Sequence, residues 1–362
     1  MVTSRDVAQV AGVSQATVSR VLRDAGPVKA ETRTRVLEAA AQIGYQPNAL
    51  ARAMRTRRSG TVGVVVSHLT NPFYPGLIEE LSAELGSAGC RMALWTSAGP
   101  GQDAALEAIR QGVLDGVLFT AATAKSAALR EAMRAGAPAV TLNRAMPGWK
   151  CDQVVSDNRV GGQRIARYFA AAGHQRVGYI GGPAAPSTSA DREKGFLSGL
   201  AAVGLALPED YRRGGDFTYR RGREAMRELL SLTRPPTAVF CVNDLTALGA
   251  LDGARSLGRA VPDDVWVVGY DDIAMASWDA FDLTTVRQPT AEMARIAVQL
   301  LLARVAEPAT APRRVTMPAE LIVRGSTAHH GGDEARSAGT PPTSRARRPA
   351  APTREPRLAR SR

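Results

Sequence analysis

The chain has 362 residues, 44% of them apolar, and carries a formal net charge of +12. No apolar run approaches the roughly 20 residues that a bilayer span needs, and Met1–Asp6 lacks the apolar core of a secretory signal, so a cytoplasmic protein is expected. The cysteines Cys90, Cys151 and Cys241 are three in number and far apart, and the histidines are scattered or fall in the tail (His68, His174, His329, His330), which argues against a disulfide framework, a metal site or any cofactor.

Charge is distributed unevenly. Residues 1–60 hold ten Arg and Lys against four Asp and Glu, residues 327–362 hold eight Arg against three acids, and the stretch between is close to neutral. A basic head on a neutral body points to nucleic acid at the N-terminal end. For the tail, simple solvation explains the charge equally well.

The head reads as three short helices. Thr3 caps the first, with Asp6 in its opening turn, Val7, Val10 and Ala11 on its apolar face and Gly12 as its stop. Ser14 caps the second, Gln15–Leu22, which buries Val18, Val21 and Leu22. The third runs from about Glu31 to Ile43, with Val36, Leu37, Ala40 and Ile43 inward. Only Gly12 and Val13 separate the first two helices, a connection that holds them at a steep angle. Gln15, Ala16, Thr17, Ser19 and Arg20 then face away from the core or stand at the start of the second helix. Gln pairs with adenine, Arg with guanine and Ala with the thymine methyl, while hydroxyls such as those of Thr3, Ser14 and Thr17 suit phosphates. An ordinary three-helix bundle with a polar face is the alternative.

The runs DVAQVAGVSQATVSRVL (Asp6–Leu22) and ETRTRVLEAAAQIGYQPNALARAM (Glu31–Met54) resemble the head of the lactose-repressor (LacI/GalR) family of transcriptional regulators, and the similarity extends over about residues 2–326. Lys29 departs from the family's frequent Ser before the third helix. The resemblance implies a helix-turn-helix head at 1–46, a hinge helix and linker at 47–60, and a two-lobed effector-binding core at 61–326. A disordered basic tail at 327–362 completes the division. In the hinge, Asn48 is positioned as a cap, and the family pattern places Leu50, Ala51, Met54 and Arg55 at the DNA minor groove. There Met54 stands where the family wedges a leucine into the duplex. The Leu50/Met54 spacing is also what plain packing would produce.

From Thr61 onward, short apolar runs alternate with amphipathic stretches. Strands are expected at Thr61–Val66, Arg91–Thr96, Gly116–Thr120, Ala139–Asn143, Arg176–Gly181, Thr237–Val242 and Val265–Tyr270. Helices are expected at Pro75–Ala88, Arg159–Ala172 and Leu245–Leu257, which makes an α/β protein with parallel sheets. The resemblance implies a periplasmic-binding-protein-like core, with lobe one at about 61–158 and 290–316 and lobe two at about 162–286 and 318–326. Its cleft candidates are Asn71, Phe73, Tyr74, Asn143, Arg144, Thr188, Arg192, Phe217, Asn243, Asp271 and Trp278, each at the carboxyl end of a strand or just beyond one. Aromatic faces with Asn, Asp and Arg suit a sugar, or a nucleoside-like ring. Asp282 replaces a usual Pro near this wall.

The expected function is a homodimeric DNA-binding regulator, a repressor by the family's default or an activator, whose affinity for a near-palindromic operator is set allosterically by a small molecule. A transport-type sugar-binding protein would need a signal peptide and no head. An enzyme on this scaffold would need a convergent nucleophile, base or metal set, and the sequence offers none.

Overall fold

A computed structural model describes residues 2–22, 26–45, 58–67, 69–97 and 99–327. The expectations for the hinge (Asn48, Leu50, Ala51, Met54 and Arg55) and for nearly all of the tail lie outside the described residues.

The head holds α1 (Ser4–Ala11), α2 (Gln15–Leu22) and α3 (Ala30–Gln42) around a small core of Val7, Ala8, Ala11, Val18, Val21, Val36, Ala39 and Ala40. Two inward assignments are corrected: Val10 and Leu37 are each 49% exposed, and Ala8 and Ala39 are buried instead. At about 100° per residue, Val7, Ala8 and Ala11 form a stripe, and Val10 falls about 60° beyond its Val7 edge. Leu37 sits at the edge of the stripe that Val36, Ala39 and Ala40 share.

The core begins with β1 (Thr61–Val66), α4 (Phe73–Ser87), β2 (Arg91–Thr96), α5 (Pro100–Arg110), β3 (Gly116–Phe119), α6 (Ala127–Arg134), β4 (Ala139–Leu142) and β5 (Asp152–Ser156). These strands join β11 (Arg314–Met317) in a six-stranded parallel sheet ordered β11-β5-β4-β3-β1-β2. Strands β3, β4 and β5 are buried along their whole length, as expected of a parallel sheet covered on both faces. On one face α4 sends Leu77, Leu81 and Leu85, at helical spacing, against Val62, Val64, Leu118 and Val140. The long α11 (Thr290–Ala306) adds Met293, Ala297 and Leu301 to the same cluster. Each such fully buried leucine contributes about 1.5–3 kcal/mol of transfer free energy.

The second lobe contains α7 (Asn158–Ala171), β6 (Val177–Ile180), α8 (Ser187–Ala202), β7 (Arg212–Arg213), α9 (Tyr219–Leu230), β8 (Ala238–Cys241), α10 (Asp244–Arg255) and β9 (Trp266–Val268). Its parallel sheet runs β7-β6-β8-β9, with an antiparallel pair, β10 (Thr285–Arg287) and β12 (Glu320–Ile322), bridged to its edge. That pair departs from the all-parallel expectation. Strands β5, β7 and β11 are further elements that the apolar-run pattern leaves out. Strand β5 starts with Asp152 and Gln153, both buried, and β11 is an edge strand with alternating exposure. The chain crosses between the sheets after β5, β10 and β11.

Helices α7 and α8 meet at backbone contact. A Cβ at Gly195 would lie 2.2 Å from the Arg159 carbonyl oxygen, and one at Gly162 only 2.3 Å from that of Arg192. Only glycine permits this approach, which brings Arg192 up against the first crossover.

Candidate functional site

In the head, Thr3 and Asp6 form a reciprocal cap. The Thr3 amide and hydroxyl donate to Asp6 Oδ2 at 2.8 and 2.9 Å, and these hydrogen bonds lower the Asp6 pKa. Gly12 then takes the left-handed conformation (φ 63°) that ends α1. The Ser14 hydroxyl accepts from the Thr17 amide at 3.2 Å and starts α2. Helix α2 buries Val18 and Val21 while Gln15, Ala16 and Arg20 remain exposed and Thr17 and Ser19 half-buried. The Gln15 amide nitrogen donates to the Ser4 hydroxyl at 2.9 Å, which ties the first residue of α2 to the first of α1. Lys29 occupies the cap position of α3 without any side-chain cap bond.

A cavity of about 310 Å³ lies between the lobes. Lobe one supplies Thr70, Asn71, Phe73, Tyr74, Asn143 and Arg144 to its wall, and lobe two supplies Thr188, Arg192, Asp216, Phe217, Thr218, Asn243, Leu245 and Asp271. Ten of the eleven expected cleft residues are therefore brought together.

Trp278 is the exception, 53% exposed and outside the cavity wall. It follows a short 3-10 turn, Ala274–Ser277, where the amides of Phe281 and Asp282 donate to its carbonyl, and its ring stacks on Phe281 at 6.4 Å. Asp282 also lies off the cavity; its Oδ2 accepts from the Gly325 amide at 2.9 Å. Thr70, Asp216, Thr218 and Leu245 are wall residues not singled out by sequence reasoning. The available signal was adjacency, since each directly neighbours a strand-end residue that was named or lies within two positions of one.

Arg192 organises the floor. It is 3% exposed; its Nε donates to Asn158 Oδ1 (2.8 Å), Nη1 to the Val242 carbonyl (2.7 Å) and Nη2 to Asp271 Oδ1 (2.8 Å). Its guanidinium carbon also stands 3.7 Å above the Tyr270 ring. Burial raises the pKa of Asp271, with Arg192 and the Gln288 amide opposing the rise. Asn243 caps α10 by accepting from the Thr246 amide at 3.0 Å. Beneath it, Asp244 is buried and close to Asp271, and its pKa is pushed up to about 7, chiefly by desolvation.

On the opposite wall Arg144 donates to the Ala121 carbonyl (2.7 Å) and to the Tyr74 hydroxyl (3.1 Å). Asn143 Oδ1 and Arg144 Nε are buried with no hydrogen-bond partner among the described residues, so both are available to a ligand. Phe73 and Tyr74 pack edge to face at 5.4 Å. Phe217 holds φ 68°, a strained conformation for an aromatic residue, and such strain concentrates at functional sites. Asp216 resists ionisation through burial, but donors from Thr218 and the charge of Arg220 outweigh this and lower its pKa. Two arginines against two acids leave the wall balanced, which suits a neutral polar ligand carrying several hydroxyls.

Among the described residues there is no cluster of three or more His, Cys, Asp or Glu that could hold a metal ion. No described helix is long and apolar enough to cross a membrane.

The family model for bacterial regulatory proteins of the lacI family matches residues 3–48, and that for the periplasmic-binding-protein-like domain matches residues 166–327. The chain is 34% identical over 327 residues to the HTH-type transcriptional repressor CytR of Escherichia coli strain K12, covering 90% of this chain and 96% of that one. It is also 34% identical to the transcriptional regulator CelR in complex with cellobiose, with a TM-score of 0.70 over 90% of this chain and 100% of that one. The lac repressor dimer bound to operator and the anti-inducer ONPF is 26% identical, with a TM-score of 0.79 over 91% and 99% of the two chains.

Proposed function

The chain belongs to the LacI family of bacterial regulatory proteins, and on that premise we propose that it is a transcriptional repressor whose grip on operator DNA is set by a sugar held between its lobes. The observation that carries the proposal is the inter-lobe cavity, with aromatic faces, a buried Arg192–Asp271 pair and uncommitted polar atoms on Asn143 and Arg144, in the same chain as an exposed, capped α2. The volume lies near the bottom of the about 300–1,000 Å³ typical of small-molecule sites, which favours a mono- or disaccharide.

In the head, Arg20 and Gln15 read base edges and Thr3, Ser14, Thr17 and Ser19 fix phosphate register, with Ala16 against a thymine methyl. Two chains related by a twofold axis present two heads to the halves of a near-palindromic operator; the similar lac repressor is a dimer bound to operator, which supports this reading. Ligand in the cleft changes the disposition of the lobes and so the DNA affinity, and the coupling is reciprocal. DNA as the partner places the protein in the cytoplasm, and its role is regulation, not catalysis.

The test is a thermal-shift panel of neutral mono- and disaccharides and nucleosides on the full chain. A cleft ligand at 100 times its Kd stabilises the core by about 2.7 kcal/mol, a shift of several degrees that Phe217→Ala should abolish. A nucleoside hit would replace the sugar, because the same aromatic faces stack on a base. No shift with any compound overturns effector control by these classes.

A further inference from the structure

The two lobes enclose a second cavity, of about 400 Å³, whose wall includes Ala145, Ser156 and Thr316 from lobe one and Ser187, Asp191 and Lys194 from lobe two. On its flank it is lined by Asp157, Asn158 and Arg159, at the first crossover, and by Arg314 at the start of β11.

Its charges are not equally committed. Arg159 Nε donates to Asp191 Oδ1 at 3.0 Å, so that pair is internally neutral. Asp157 faces the cavity too, but its Oδ1 accepts from the Val160 amide at 3.0 Å and its charge is met by the start of α7. Lys194 and Arg314 remain. They come from opposite lobes, both are exposed, and among the described residues neither has a carboxylate within ion-pair distance. Two uncommitted cations facing one polar concavity are the electrostatic signature of an anion site.

We infer that this flank cavity binds a small phosphate ester, with the phosphate bridging Lys194 and Arg314 and its polar body lying along Ser187 and Thr316. A phosphate offers three acceptor oxygens and up to two charges, enough to engage a point-charge ammonium and a forked guanidinium together. A site spanning both lobes favours the arrangement in which they stand close, as they do here, where the Ala145 amide donates to the Ser187 hydroxyl across the gap at 2.8 Å.

The cavity also touches the effector site through one residue. Asn158 lines it, and Asn158 Oδ1 holds Arg192 Nε at 2.8 Å on the effector side. An anion on the flank therefore alters affinity in the cleft, and this last step alone rests on the cleft being an effector site.

The experiment is isothermal titration of the full chain with inorganic phosphate and with a hexose monophosphate at fixed ionic strength, without sulfate. Saturable binding is expected, weakened about tenfold by Lys194→Gln and by Arg314→Gln and restored by Lys194→Arg. It should be unaltered by Phe217→Ala, which disturbs only the cleft. Tighter binding of the hexose phosphate identifies an ester as the ligand, and equal binding identifies the free anion. Absence of saturable binding at millimolar concentration, indifference to both charge substitutions, or loss in Phe217→Ala would each overturn the inference. None of these outcomes bears on whether neutral sugars bind the cleft.

Discussion

Replacing Asp271 by Asn deletes a charge while keeping the shape of the side chain and a residue type that tolerates φ 119°. Arg192 and Asp271 are 3% and 6% exposed in their side chains and 2.8 Å apart, so the guanidinium would lose its counter-charge in a site that water scarcely reaches. Breaking a buried pair from one side costs about 3–5 kcal/mol. The lower end applies here, about 3 kcal/mol, because the Asn158 and Val242 oxygens and the Tyr270 face remain on Arg192. The double variant Arg192→Met with Asp271→Asn removes the stranded charge, so it should cost clearly less than the sum of the two single variants. Denaturant unfolding of the core, followed by the fluorescence of Trp266 in the second lobe, measures all three. A single-variant cost below about 1 kcal/mol, or strict additivity in the double, would refute the view that this pair is one electrostatic unit.

Arg20→Ala should lose about 1–3 kcal/mol of discrimination between operator and mutated operator for each half-site, read by competition binding at fixed salt; a uniform loss across all sequences would make Arg20 a phosphate contact. Asp244, with its pKa pushed up to about 7 by burial, is favoured protonated in the folded state, so its contribution is fully present near pH 4 and is lost as pH rises to 7. Asp244→Asn should therefore gain stability relative to the parent by about 2–4 kcal/mol across that window, and a pH-independent difference in midpoint would contradict the assignment. Lys29→Ser supplies the cap bond that α3 lacks and should stabilise the head by about 1 kcal/mol, seen as slower amide exchange in α3.

What could be read from the sequence was what depends on neighbours within a turn or two. The Thr3/Asp6 cap, the Gly12 stop and the Ser14 start are local hydrogen-bonding and backbone preferences, and they mark α1 and α2 to the residue. Strands such as Val62–Val66 are legible because a sheet covered on both faces demands unbroken apolar runs. The cleft residues were legible only through the family pattern, since nothing local marks Asn143 or Asp271 as sharing a cavity wall with Arg192.

Other features depend on distant chain segments and were invisible until the fold assembled them. Which way Val10 and Leu37 face depends on where the other helices of the head lie. Strand β11 has no apolar run because it is an edge whose partner, β5, lies some 160 residues earlier. Trp278 looked like a cleft aromatic until a hydrogen-bonded turn carried it outward. The raised pKa of Asp244 and the meeting of Lys194 with Arg314 in one cavity have no trace in the local sequence. Burial and electrostatic potential are set by everything within several ångströms in space, so tertiary structure alone decides them.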